Sequence, residues 1–193
     1  RFGEEAYVQE TDRYLTYCNY TLPRTRHWDN KIINYSPLAE RNVIVSLTRG
    51  HRAWRYYGVP FKSWAWTYGN KPILEANHAV RAPDLAWIGG PEGEMTRNDH
   101  NFFSGDRIEK SACMIHDRAE QGRWRLQWRL SRAGAAAPVL ERTKEVGIGA
   151  FAHNQETIVF DTPEVAEPTP FVLSLTVTDV HAQKQIASDT LVL

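Results

Sequence analysis

The stretch Arg123-Trp124-Arg125-Leu126-Gln127-Trp128-Arg129-Leu130 alternates polar and apolar side chains without a break. Successive side chains of a strand point to opposite faces, so this segment predicts a strand with Trp124, Leu126, Trp128 and Leu130 inward. Arg123, Arg125, Gln127 and Arg129 then face water. The pattern recurs further on, where Phe171, Leu173, Leu175 and Val177 alternate with Ser174, Thr176 and Thr178. Residues 108–116, 139–148, 157–160 and 184–193 supply further strand candidates, divided by turn residues every ten or so positions.

Six or seven short strands in so compact a stretch predict an immunoglobulin-like antiparallel β-sandwich over residues 106–193, with the inward rows of two sheets packed together. The Cys-Trp-Cys core of antibody domains is absent. Cys18 and Cys113 are far apart and match no zinc or redox spacing, so both read as free buried thiols.

Upstream, the grammar changes. Residues 4–22 space Ala6, Val8, Tyr14, Leu15, Cys18 and Leu22 mostly three or four apart, which predicts an amphipathic helix stopped at Pro23. A second helix is predicted over residues 37–57. Ser36 is placed to cap it, Pro37 suits its first position, and Gly58 followed by Pro60 ends it. Its apolar stripe is Val43, Leu47, Trp54 and Tyr57, leaving Arg49, Arg52 and Arg55 as a solvated face. The run from Val59 to Gly69 has strand composition, and Gly and Pro make residues 71–105 read as a connector with one short strand near Leu85 to Ile88. The expected organisation is therefore α+β: a helical and αβ segment over residues 1–70, a connector over 71–105, and the sandwich over 106–193.

The chain has 193 residues, with Lys plus Arg and Asp plus Glu at 23 each. That balance removes the overall positive charge of a dedicated nucleic-acid binder. It is unevenly spread, since residues 1–70 hold 10 basic against 6 acidic groups, and residues 71–193 hold 13 against 17. Apolar runs fall far short of the roughly 20 residues that a membrane span needs, so neither nucleic acid nor membrane is an expected partner. A chain opening on Arg1 reads as a processed product or a piece of a longer one.

Candidate chemistry rests on the aromatic residues. Trp64, Trp66 and Tyr68 would share one face of a strand, and aromatic faces can stack on the C–H faces of sugars while their edges hydrogen-bond. Trp124 and Trp128, and Trp54 on its helix, read instead as core. The histidines form no metal-binding spacing, and Asp99-His100 and His116-Asp117 are sequence neighbours that a strand would point apart. Neither a metal nor another cofactor is expected. Gly89-Gly90-Pro91-Glu92-Gly93 lacks the Lys-Ser/Thr of a phosphate loop, and Glu92 and Glu94 read as a solvated turn.

Two stretches carry a resemblance to a known family. Asn34-Tyr35-Ser36-Pro37-Leu38-Ala39, continuing through Arg49-Gly50-His51-Arg52-Ala53-Trp54-Arg55-Tyr56-Tyr57-Gly58-Val59-Pro60, resembles the last helix-strand steps of an α/β (TIM) barrel. Asp99-His100-Asn101-Phe102-Phe103-Ser104-Gly105-Asp106-Arg107-Ile108-Glu109-Lys110 resembles the entry strand of an appended sandwich. With the order of elements, they make the chain similar to the C-terminal part of multidomain glycoside hydrolases of the β-galactosidase and β-glucuronidase type.

The resemblance implies a retaining hydrolase whose two carboxylates lie on earlier barrel strands, so no catalytic residue is assigned here; Glu4 and Glu5, ahead of a helix, are not assigned either. It also implies that Trp66, with Trp64 and Tyr68, lines a sugar subsite. The expected partners are a carbohydrate substrate and the remainder of the enzyme or a partner chain. Two alternatives stay open: a non-catalytic carbohydrate-binding module, and a structural subunit that packs on a partner.

Overall fold

The computed structural model describes residues 37–59, 71–97 and 99–193, the side chains of residues 37–40 and 42 excepted. The expected helix over residues 4–22, Cys18, Glu4, Glu5 and the aromatic run with Trp64, Trp66 and Tyr68 lie outside the described residues. The chain divides into two compact units, Arg1–Ala82 and Pro83–Leu193.

In the first unit, helix α1 spans Pro37–Tyr56, with Pro at its first position and the expected stop at its end. Gly58 takes a left-handed φ of 66°, which only a residue without Cβ adopts freely. The turn it makes lets Val59 N–H donate to Trp54 O at 2.8 Å and Gly58 N–H to Arg55 O at 3.1 Å, so two otherwise orphaned carbonyls are paired. Helix α2 spans Lys71–Ala79 within the stretch read as connector. Leu47 of α1, Ile73 of α2 and Val80 are all buried in a small core with Val43 and Ile44 against it.

Arg55 departs from the solvated face expected of it. Its Nη1 donates to Val80 O at 2.6 Å and Ala82 O at 2.8 Å, holding carbonyls just beyond the end of α2. A guanidinium placed at a helix C-terminus answers both the unpaired carbonyls and the negative end of the dipole. No period in the sequence encodes that long-range contact.

The second unit is an antiparallel β-sandwich of seven strands. They are β1 (Asp84–Gly89), β2 (Arg107–His116), β3 (Gly122–Arg132), β4 (Leu140–Ile148), β5 (Ala152–Asp161), β6 (Phe171–Asp179) and β7 (Lys184–Val192). One sheet has the order β1-β2-β5, the other β4-β3-β6-β7. Hairpin neighbours β1–β2, β3–β4 and β6–β7 stay within a sheet, and every other connection crosses to the opposite one.

The core follows from the alternation along β3. Trp124, Leu126, Trp128 and Leu130 are each at most 3% exposed. Leu126, Trp128 and Leu130 stand opposite Val177, Leu175 and Leu173 of β6, so two inward rows meet in register. Ala86, Ile88, Ile108, Ala112, Met114, Ile158 and Phe160 close the core from the three-stranded sheet. Strand β5 begins five residues earlier than the expected start at Thr157. Residues 152–156 are Ala-His-Asn-Gln-Glu, which have no apolar alternation, and they are strand because β2 offers them ten residues of antiparallel partner.

Removing an inward indole should cost far more than removing an outward guanidinium. Trp128→Ala is expected to lower unfolding stability by about 3–5 kcal/mol, and Arg125→Ala by about 0.5 kcal/mol or less, both read from urea denaturation midpoints.

Candidate functional site

Four groups of polar side chains in the sandwich unit are organised enough to be weighed as sites. The first is the arginine row of β3. Arg125 Nη2 meets Glu145 Oε1 at 2.9 Å, Arg123 Nη2 meets Glu145 Oε2 at 2.8 Å, and Arg129 Nη2 meets Glu141 Oε1 at 2.9 Å. Gln127 Nε2 also donates to Glu141 at 2.7 Å. Hydrogen bonds from Arg129 and then Gln127 hold the Glu141 carboxyl below its ordinary range, and Arg125 does the same for Glu145. The row is thus occupied by cross-strand carboxylates from β4, and the indoles between its members point into the core. Bases can neither stack on those tryptophans nor find those guanidiniums unengaged.

The second is built on His116, which stands opposite Asp84 in the β1–β2 register. Its Nδ1 lies 2.7 Å from Asp84 Oδ1, and its Nε2 donates to Glu120 O at 2.8 Å. Arg118 Nε donates to the other oxygen of Asp84 at 2.7 Å. Asp84 and His116 form the acid–imidazole half of a catalytic triad by composition, but both ring nitrogens are spent within the fold. The ring also packs edge-on to Trp124 at 5.5 Å. A general base needs a nitrogen facing substrate, so this group ties β1 to the β2–β3 turn.

The third is the segment between β1 and β2. Ser111 Oγ donates to Gly90 O at 2.6 Å, and Gln155 Nε2 donates to Pro91 O at 2.8 Å and Ser111 Oγ at 2.6 Å. Gly93 N–H donates back to Gln155 Oε1 at 3.1 Å. Met95 is buried, Glu94 pairs with Arg97 Nη1 at 2.8 Å, and Arg97 also pairs with Asp99. Glu92 and Glu94 are exposed, as expected of a turn, though the turn is anchored rather than loose.

The fourth is Lys110, which sequence alternation places on the inner face and which is 1% exposed. Its Nζ donates to Asp99 O at 2.7 Å and lies 5.5 Å from the centre of the Phe102 ring. The stretch that resembles a sandwich entry strand therefore closes on itself, its first residue accepting from its last. Burial pushes the Lys110 ammonium down from its ordinary value, opposed by Asp99 and reinforced by Arg97.

The expected aromatic platform of Trp64, Trp66 and Tyr68 lies outside the described residues, so none of these groups tests it. Cys113 is buried and outside any disulfide, in line with expectation. Among the described residues no group of three or more His, Cys, Asp and Glu could hold a metal ion. No described helix is long and apolar enough to cross a membrane.

Comparison with known proteins gives likeness of fold only. No family model matches the sequence, and no curated protein matches it. Among solved structures, a β-glucuronidase of Bacteroides uniformis aligns over 55% of this chain and 12% of its own, with 13% identity and a TM-score of 0.38. A β-glucuronidase of glycoside hydrolase family 2 aligns over the same shares with 16% identity and a TM-score of 0.37. A FixG-related protein from Vibrio parahaemolyticus aligns over 57% of this chain and 94% of its own, with 8% identity and a TM-score of 0.38. The aligned part of this chain thus spans about an eighth of each of these β-glucuronidases.

The Lys110 geometry has a pH signature. Its folded value lies below the 10.5 of an ordinary lysine, so below the folded value the buried charge costs stability in full. As pH rises from the folded value toward 10.5, the unfolded chain holds more protons and the cost is relieved. Lys110→Met keeps the stem and drops the charge, so the stability of wild type relative to this variant is expected to increase across that window. Paired urea titrations at neutral and alkaline pH measure it, and a constant difference contradicts the assignment.

Proposed function

We propose that this chain is the C-terminal portion of a carbohydrate-active enzyme, a retaining glycoside hydrolase, in which it supplies domain packing and part of a sugar cleft rather than the acid pair. In this reading the sandwich is immunoglobulin-like and is appended to the closing steps of an α/β barrel, with residues 71–105 leading from one to the other.

The observation that carries the reading is the folded entry stretch, in which Lys110 Nζ donates to Asp99 O at 2.7 Å ahead of a wholly buried run of β2. All seven residues Lys110–His116 are buried. Ala112 and Met114 belong to the sandwich core, but Ser111, Cys113 and Ile115 point the other way and are at most 2% exposed. Trp87, opposite Cys113 on β1, is 4% exposed on that same outer side. Antiparallel sheets commonly keep one face wet, and β2 departs from that. β2 is therefore an inner strand of this chain, its outer side covered in part by the segment after β1, where Ser111 Oγ donates to Gly90 O at 2.6 Å and Met95 is buried. The folded Asp99–Lys110 stretch, bonded end to end, supports the entry-strand role that its resemblance implies.

The catalytic role falls to carboxylates elsewhere in the enzyme, and the sugar contacts of this chain to Trp64, Trp66 and Tyr68. An aromatic platform stacks on the apolar face of a pyranose and is lost when the rings are removed. The 193-residue chain is expected to release no chromophore from nitrophenyl glycosides. In the same preparation, Trp64→Ala with Trp66→Ala should weaken retention on soluble polysaccharide at least about tenfold, as loss of paired aromatic anchors does. Turnover by the chain alone contradicts the division of labour. Undiminished retention removes the platform, and retention without any hydrolase context favours the binding-module alternative.

A further inference from the structure

One end of the sandwich combines a projecting aromatic ring, a groove and unspent charges. Phe103 is 84% exposed, the most exposed large apolar side chain among the described residues. It is not on a loose loop. Gly105, at a φ of 79°, completes a type II turn in which Asp106 N–H donates to Phe103 O at 3.1 Å. Phe103 N–H donates to Asp106 Oδ2 at 2.8 Å, and Thr162 Oγ1 donates to Phe103 O at 2.6 Å. Thr162 N–H donates to Asp106 O at 2.8 Å, and Val165 N–H donates to Ser104 Oγ at 2.9 Å. The ring is therefore presented with its backbone already ordered, which lowers the entropic cost of docking it.

Asp161 and Pro163, on either side of Thr162, line a groove of about 460 Å³ where the edges of β4 and β5 part. Leu130, Leu140 and Phe160 line its apolar part, and Arg107 and Arg142 its rim. A guanidinium rim with an apolar floor suits an aromatic ring. Arg107 and Asp161 stand opposite each other in the β2–β5 register, yet among the described residues neither has an ion pair or a side-chain hydrogen bond. Val139 and Val165 add exposed apolar surface at the same end.

A projecting ring beside an apolar-floored groove, with unspent charges of both signs, makes this end self-complementary in character. We propose that this end of the sandwich is a self-association surface, on which Phe103 of one chain seats in the Leu130–Leu140–Phe160 groove of a second copy, and reciprocally. A two-fold arrangement makes each contact twice, placing Arg107 of one copy opposite Asp161 of the other. Charge complementarity and the fixed ring select a second copy over a small ligand, which would use the groove and leave Phe103 in water.

Sedimentation of the 193-residue chain over roughly 1 μM to 1 mM is expected to show a monomer–dimer equilibrium. Phe103→Ala should weaken it at least about tenfold, whereas Phe151→Ala, an exposed phenylalanine beside Arg118 at the opposite end of the sandwich, should leave it unchanged. Arg107→Glu and Asp161→Arg should each weaken self-association by bringing like charges together. Mixing those two variants should restore a heterodimer, because every facing pair is then of opposite sign. A monomer at every concentration, a dimer indifferent to Phe103→Ala, or a mixture that fails to recover association would each overturn the proposal. None of these readouts depends on glycan binding or hydrolysis, so the two readings stand or fall separately.

Discussion

The central constraint of the sandwich is that β3 has one dry face and one wet face with no register in between. A one-residue slip would bring Arg123, Arg125 and Arg129 into the core and put Trp124 and Trp128 in water. The cost of burying unpaired guanidiniums far exceeds any local preference. Because β3 is hydrogen-bonded to both β4 and β6, fixing its register fixes theirs. The same constraint places Glu145 opposite Arg125 and Glu141 opposite Arg129, so each arginine of the wet face finds a carboxylate on β4.

This arrangement sorts the aromatic residues by what they can do. Trp124 and Trp128 are structural because their faces are consumed by β6 and by the opposing sheet. Polar groups drawn inside are likewise committed: His116 to Asp84 and Glu120, Lys110 to the Asp99 carbonyl and the Phe102 ring. Both are buried away from any open cleft, and buried polar groups with partners stabilise a particular packing. What the unit offers outward is concentrated at the end that presents Phe103.

The legible parts of the fold were those with period or punctuation. Strands β3 and β6 declare themselves by alternation, and α1 by Pro37 at its start and Gly58 at its end. The early half of β5 did not, because Ala-His-Asn-Gln-Glu is held as strand by its partner rather than by its own composition. Strand β1 was visible as a short strand near Leu85 to Ile88, but its membership of the sandwich depends on pairing with β2 some twenty residues away. Arg55 bonding to Val80 and Ala82, and Asp84 pairing with His116, are long-range contacts that no local window contains. Lys110 carried a weak signal: it is the one charged residue at an inward position between Ile108 and Ala112, and an alternation with a charge on the apolar side asks where that charge goes. The exposure of Phe103 had none, since an aromatic pair before Ser-Gly-Asp reads equally well with either ring inside.

β2 is an interior strand, shielded from water on both sides, in a unit held together by the register of β3. Native-state amide hydrogen exchange tests it directly, because amides in such a strand are released only by global unfolding. The expected result is that the amides of Ser111 to Ile115 exchange as slowly as those of Leu126 to Leu130 and with the same dependence on denaturant. Fast exchange along β2 while β3 remains protected would mean that the three-stranded sheet opens separately as a surface layer, and would contradict the place of β2 as an inner strand of the sandwich.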